Sequence, residues 1–419
     1  MPTARASYPS TTFSFFLDLS QHDSEHSFPP ISMFPDHKLR RTLTSGTTHA
    51  AIETRDSPFR NRSDHPSPLL DRAMNKLLLA AVCAILLLLS AGHVESRRHG
   101  DSSSERQYKL FVFGDEYADT GNYPVADLTK TTRAWYYPYG SNDKDHGATP
   151  SGRFSNGLVL PDFVARILGM DESPPAESKR EQDGVDPSGM NFAVGGAGVV
   201  AGTSEAPKLG RQVDKFKRMV RHGIIDDDLT DSVALIAFSG RRDYERFHDM
   251  TNTDVKAVAQ DVTDKIADAV EQLLDLGVEK VVVTTLPPLG CTPGLSKTKD
   301  GVYDAKCDGQ KVTSIHNAYL EEKVFQYKDV FNLDLKAAFN RHAGPSSRSK
   351  KFKYKLEPCC DSLDQSGYCG QITEDGEPQY NLGAKPDKFF YWDDINPTHA
   401  GWKAVVNEFE ESIRNFLHI

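Results

Sequence analysis

From Tyr108 onward, apolar positions follow two alternating rhythms. Residues 109–113 form a short, largely apolar run ending at Gly114-Asp115, and residues 233–238 form another ending at Ser239-Gly240. Short apolar runs bounded by turn residues predict buried strands. Val255, Val258, Val262, Ile266, Val270 and Leu273 recur at steps of three and four, which puts them on one face of a helix. Gly277 suits the position just past its end, where a left-handed backbone is common. Residues 281–286 then read as a strand broken by Pro287-Pro288, and residues 400–416 read as a closing helix. Strands alternating with long helices predict an α/β fold whose parallel sheet is covered on both faces. Function in such sheets collects beyond the carboxyl ends of the strands. Glu116, Arg242, the loop after Leu286 and residues 391–396 all fall there. No internal repeat and no second domain is visible.

Upstream the pattern changes. Residues 1–73 are rich in Ser, Thr, Pro, His and Arg and lack sustained apolar periodicity. That composition buries too little surface to offset chain entropy, so this stretch is expected to be a disordered or spurious extension. Met74-Asn75-Lys76 leads into apolar residues 77–91, followed by small and then polar residues. A charged start, a short apolar centre and a small-residue exit make the pattern of a secretory signal peptide. The stretch is short for a membrane span, which needs about 20 apolar residues; a signal anchor is the alternative. Such a peptide acts at a chain's beginning, so Met74 is the expected start. The expected division is an extension at 1–73, a signal peptide at 74–96, a polar linker at 97–107 and one domain at 108–419. The product would be secreted, with no stable membrane span after the signal is removed.

The chain has 419 residues, is 38% hydrophobic and carries a formal charge of −10. That is ample apolar material for a large core, and the acidic balance argues against nucleic acid as a partner. On this reading no basic cluster interleaved with aromatics offsets it. Of six cysteines, Cys83 would leave with the signal peptide. For the remaining five, an oxidising compartment favours two disulfides and one free thiol. Cys291 with Cys307, and either Cys359 or Cys360 with Cys369, are the favoured short loops, although sequence leaves connectivity open. No histidine stands at ligand spacing from these cysteines, so no metal is expected. No cofactor is expected either: the run Gly195-Gly196-Ala197-Gly198 lacks a P-loop lysine.

Four blocks carry the chemistry. They are Phe113-Gly114-Asp115-Glu116; Gly189-Met190-Asn191-Phe192-Ala193-Val194-Gly195-Gly196-Ala197-Gly198; Ser239-Gly240-Arg241-Arg242-Asp243-Tyr244; and Trp392-Asp393-Asp394-Ile395-Asn396-Pro397-Thr398. Together they resemble the motif blocks of the GDSL esterase/lipase family, also called SGNH hydrolases. The runs Trp135-Tyr136-Tyr137-Pro138-Tyr139-Gly140 and Gly152-Arg153-Phe154-Ser155-Asn156-Gly157 resemble its plant members. The resemblance implies a three-layer α/β/α sandwich with a flavodoxin-like parallel sheet, and hydrolysis of carboxylic esters of lipids or acylated metabolites. By the same resemblance, Glu116 stands at the nucleophile serine and Gly195 at the oxyanion-hole glycine. Arg242 stands at the oxyanion asparagine, Asp393 is the triad acid, and Asn396 replaces the triad histidine.

Ester hydrolysis of this design needs a hydroxyl that attacks, an imidazole that takes its proton, and donors aimed at the nascent oxyanion. Glu116 has no hydroxyl, the Asn396 amide accepts no proton near neutral pH, and Arg242 is too long to donate from an asparagine's place. In serine proteases, losing the nucleophile or the base costs about 10⁶ in turnover, roughly 8 kcal/mol. The expectation is a pseudoenzyme that binds an acyl or aromatic small molecule, or a protein partner. Glu116 is expected at a helix N-terminus, paired with Arg242 across the former oxyanion hole, or else both face solvent. An alternative keeps activity through Glu116 with His399 as substitute base; the plainer role for His399 is to decorate a helix start. Asp393 is expected to persist as a hydrogen-bonding residue, and Arg241 to be solvated. The run from Trp135 to Tyr139 either lines a pocket or packs over a loop, and His316 is given no role.

Overall fold

The computed structural model describes residues 107–180, 186–307 and 310–419. The expected extension and signal peptide, and nearly all of the expected linker, lie outside the described residues. Five strands, β1 (Lys109–Gly114), β2 (Gly189–Asn191), β3 (Ser232–Ala237), β4 (Lys280–Thr284) and β5 (Val330–Leu333), form one sheet. All pair in parallel, in the order β2-β1-β3-β4-β5. This is the flavodoxin-type order, which leaves a crevice at the carboxyl ends near β1 and β3.

Seven main helices cover the sheet: α1 (Leu160–Ile167), α2 (Leu209–Arg221), α3 (Asn252–Asp275), α4 (Gln310–Lys323), α5 (Leu335–His342), α6 (His399–Asn407) and α7 (Glu410–Leu417). Successive strand residues point to opposite faces, and the packing follows that alternation. Phe111, Phe113, Ile236, Val281 and Val283 share a core with Phe216 of α2, Val262 of α3 and Leu320 of α4. Leu110, Val112, Val233, Leu235 and Val282 share the other with Phe163 of α1, Phe339 of α5, Trp402 of α6 and Ile413 of α7. Two buried faces require near-continuous apolar strands, which is why these runs are legible in the sequence. The result is a three-layer α/β/α sandwich.

Several expectations are met and two are corrected. Gly277 follows the end of α3 with φ +100°, a backbone that other residues reach only with strain. Disulfides join Cys291 to Cys307 and Cys360 to Cys369, leaving Cys359 free and buried. No described helix is long and apolar enough to cross a membrane. The single closing helix expected over 400–416 is instead two. At Glu408 and Phe409 the backbone N–H groups bond three residues back, to Val405 and Val406. The break falls where the Glu408 carboxylate meets Arg341 and His342 at the end of α5. The helix expected directly after β1 is absent. Residues 115–119 make a turn closed by the Ala118 and Asp119 N–H groups on the Asp115 carbonyl. Glu116 therefore sits in a turn, without a helix dipole behind it.

Gly114 sets the start of that turn. A Cβ added there would lie 2.0 Å from the Ala237 carbonyl oxygen at the end of β3. Gly114→Ala is expected to push β1 and β3 apart at their carboxyl ends. Overpacking of this kind costs roughly 1–3 kcal/mol, which the urea unfolding midpoint would register.

Candidate active site

The turn after β1 and the end of β3 meet through two adjacent acids. Asp115 and Glu116 are both buried, and Ser239, the second residue past β3, is fully so. Asp115 Oδ2 accepts the Ser239 backbone N–H at 2.7 Å and lies 2.6 Å from its hydroxyl. Asp115 Oδ1 accepts the Tyr117 N–H at 3.1 Å. Glu116 Oε1 lies 3.1 Å from the same Ser239 hydroxyl, and Glu116 Oε2 accepts the Gly196 N–H at 3.0 Å. A serine hydroxyl carries one proton and cannot satisfy two carboxylates at once. The Arg241 N–H donates to the Ser239 oxygen at 3.1 Å, so that atom also acts as an acceptor. Burial, and then the charge of Glu116, hold the Asp115 carboxyl well above the usual carboxylate range. A proton kept on Asp115 can be donated in a hydrogen bond to the Ser239 oxygen while the Ser239 hydroxyl donates its own to Glu116, which completes the bonding.

The expected Glu116–Arg242 pair is not formed. Arg242 Nη1 meets Glu245 at 3.2 Å, with 40% of its side chain exposed. Its neighbour Arg241, expected in solvent, turns inward and holds Asp394 at 2.6 Å. Adjacent residues in a loop can point to opposite sides, and the half-buried acid at 394 selects Arg241. The backbone donor facing Glu116 also shifts by one residue. Gly195 gives its N–H to Asp119 at 2.7 Å, so Gly196 is the one aimed at the nucleophile position.

The fourth block keeps the shape of a triad and changes its end. Asn396 is fully buried, and its Nδ2 donates to both Asp393 oxygens at 3.0 Å. A histidine there would offer a ring N–H to the acid in the same way. The far atom, however, is the amide oxygen Oδ1, which has no hydrogen-bond partner among the described residues. Asp393 also accepts from Tyr139 at 2.7 Å and from Arg133 at 3.2 Å. Arg133, Arg241 and Lys130 converge on Asp394 at 3.3, 2.6 and 3.8 Å. Burial alone would raise the Asp394 carboxyl, but Arg241 and Arg133 outweigh it and hold it well below the usual range.

His399 lies elsewhere. It is the first residue of α6, its Nδ1 accepts the Leu158 N–H at 3.2 Å, and its ring meets Phe163 edge-on. Burial lowers its pKa further, so it stays neutral. None of these partners belongs to the Glu116 cluster, and the pairing of Glu116 with His399 is not made. His316 is buried against the Tyr244 hydroxyl at 2.9 Å, and burial pushes its pKa down to about 3. Of the aromatic run, Tyr139 supports Asp393, and Trp135 bonds the Tyr123 carbonyl, which is packing.

Beside this cluster opens a cleft of about 210 Å³, lined in part by Arg241, Phe247, Leu289, Leu295, Tyr303 and Tyr368. Its walls include Asp394 and Ile395 but not Glu116. Sequence reasoning missed Ser239, Gly196, Arg133 and Tyr139. The first two lie inside blocks already singled out, without a role assigned, and Tyr139 lies in the aromatic run; nothing in the sequence ties Arg133 or Tyr139 to residue 393.

A family model described as GDSL-like Lipase/Acylhydrolase matches residues 110–409. The chain is 32% identical over 357 residues to GDSL esterase/lipase At5g03610 of Arabidopsis thaliana, covering 80% of this chain and 95% of that protein. It is 32% identical over 336 residues to GDSL esterase/lipase At3g09930 of the same plant, covering 76% and 91%. With At5g03600, also named a GDSL esterase/lipase, it shares 33% over 325 residues, covering 74% and 95%. The chain belongs to the GDSL lipase/acylhydrolase family, whose reaction is ester hydrolysis.

The shared hydroxyl makes a pH prediction. Asp115 is raised in the folded state, so its contribution is fully present below its unfolded value of about 3.9 and is lost as pH rises through the folded value. In Glu116→Gln the amide can accept from Gly196 and donate to Ser239, and the like charge beside Asp115 is gone. This variant should melt above the parent protein by a margin that grows from pH 4 to pH 8, reaching on the order of 1 kcal/mol. Thermal unfolding across that range checks it; a constant or shrinking margin contradicts the shared-proton reading.

Proposed function

We propose that this protein is a GDSL-family member that has lost serine-type hydrolysis and retains ligand binding in the cleft beside the former centre. The observation that carries this reading is the Glu116 carboxylate seated on the Gly196 N–H. A carboxylate there brings a negative oxygen to a donor that would otherwise serve a substrate's oxyanion. The nucleophile position thus fills the donor it should leave open. The amide oxygen at Asn396 supplies no proton acceptor in place of the imidazole. The neighbouring cleft, with tyrosines and leucines beside one inward arginine, suits an amphiphilic molecule such as an acyl or aromatic compound.

The reading also places the protein outside the cell after removal of a signal peptide beginning at Met74, and the two disulfides support that setting. N-terminal sequencing of the mature protein should begin shortly after the small residues at 90–92.

Reactivity tests the central claim. A fluorophosphonate probe should leave the protein unlabelled, and turnover of p-nitrophenyl butyrate should match that of Glu116→Ala. The triple change Glu116→Ser, Arg242→Asn, Asn396→His should raise turnover by at least about 10³, because triad members act as a unit. Each single change should do almost nothing. Turnover in the parent chain that disappears with Glu116→Ala would refute the proposal.

A further inference from the structure

The strongest charge feature outside this site lies on a different face. Residues 348–355 read Arg-Ser-Lys-Lys-Phe-Lys-Tyr-Lys, five cations in eight residues with no acid, in a chain whose net charge is −10. This corrects the expectation that no basic cluster is interleaved with aromatics. The segment runs alongside residues 383–389, and Tyr354 makes a parallel bridge to Phe389. Between them lies an open groove of about 570 Å³, lined by Lys350, Lys351, Lys353, Lys385 and Lys388 and by no acidic residue. All five lysines are exposed. None forms an ion pair among the described residues, and the acids that act on them, Asp387 and Glu357, stand outside the lining. Burial first, and then the nearby Lys403, lower the Lys351 pKa.

We infer that this groove is a docking site for a linear polyanionic polysaccharide, a uronate chain whose carboxylates follow the row of lysines. Five uncompensated cations around one concavity create a local positive potential despite the acidic whole. Lysine is a compact point charge, whereas an arginine fork grips one carboxylate or phosphate bidentately; a lysine-only lining fits a loosely held chain of repeated anionic groups, as the carboxylates of a uronate chain are. Single-stranded nucleic acid binds by stacking its bases on open aromatic faces. Here Tyr354 is stacked on Phe389 at 4.1 Å, and the Lys353 ammonium lies over its ring at 4.7 Å, so no bare face is offered. Phe352 and Phe389 are buried, which leaves no open apolar pocket for the side chains of an acidic peptide. The groove is separate from the proposed ligand cleft and does not depend on whether the centre is active.

Isothermal titration of the full chain with polygalacturonate tests the inference, with neutral galactan, oligothymidylate and phosphatidylserine vesicles as comparison arms. Polygalacturonate should bind in low salt, and neutral galactan should not. The variant with Lys350, Lys351, Lys353, Lys385 and Lys388 all changed to Gln should bind at least tenfold more weakly. Its salt dependence should fall by roughly 0.7 in log–log slope per lysine lost. Lys256→Gln with Lys299→Gln, exposed lysines elsewhere, should leave binding unchanged. The pair Lys350→Glu, Lys385→Glu provides a lighter substitution that should also abolish most binding, with circular dichroism verifying the fold of each variant. Undiminished binding in folded five-lysine and two-lysine variants overturns the inference. So does tighter binding to oligothymidylate or vesicles than to polygalacturonate.

Discussion

The carboxyl group of Asp115 ties the end of β1 to the end of β3 by accepting the Ser239 N–H and sharing a hydrogen bond with the Ser239 hydroxyl. The remaining geometry of the site depends on that clamp. It fixes the turn in which Glu116 stands and the point from which Gly240 and Arg241 leave the sheet. With the clamp in place, Glu116 has two partners within reach, the buried Ser239 hydroxyl and the part-buried Gly196 N–H. A charged residue this deeply buried must find such partners or shift its protonation. At Glu116 both responses are visible: hydrogen bonds on its own oxygens, and a proton held more tightly by the acid beside it.

Across the crevice a second acid holds its own framework. Asp393 receives donors from Asn396, Arg133, Tyr139 and the Ile395 and Asn396 N–H groups. In a working triad such an acid orients an imidazole. Here it orients an amide with the same bond and a different outcome, because an amide oxygen is a poor base. On the proposed loss of hydrolysis, the scaffold of catalysis outlasts its chemistry, since what positions the residues is distinct from what reacts.

The sandwich and its strand runs were legible because two buried faces leave β1, β3 and β4 almost no polar positions. The α3 face was legible for a related reason, its three-and-four spacing. Disulfide pairing was readable from short loops among five cysteines, while the choice of Cys360 over Cys359 needed coordinates. Side-chain direction was not legible. Arg241 and Arg242 are identical in type and adjacent, and the half-buried charge at Asp394 decides which turns inward. Gly195 and Gly196 differ only in which backbone N–H the Asp119 carboxylate claims. The turn after β1 was misread as a helix because the block resemblance carries residue identity and says little about local backbone. The lysine groove, by contrast, lay open in the sequence at residues 348–355 and was hidden by reliance on the net charge.

The three substituted positions are accommodated at different cost, and that difference bears on how the centre could have changed. Arg242 has moved to the surface, where an exposed pair with Glu245 contributes little and costs little. Asn396 keeps the donor that Asp393 requires but leaves its buried Oδ1 unpaired, a penalty of about 1–3 kcal/mol. Glu116 carries the electrostatic burden, a second carboxylate placed beside a buried first. Active sites hold destabilising arrangements that function alone justifies. Under the proposed reading, such strain remains at Glu116 and Asn396 without the reaction that would account for it. The neutral partners that relieve Glu116, the Ser239 hydroxyl and the Gly196 N–H, are supplied by the loops that follow β3 and β2. The site is therefore held by the fold's own framework, and restoring its chemistry would require side chains alone to change.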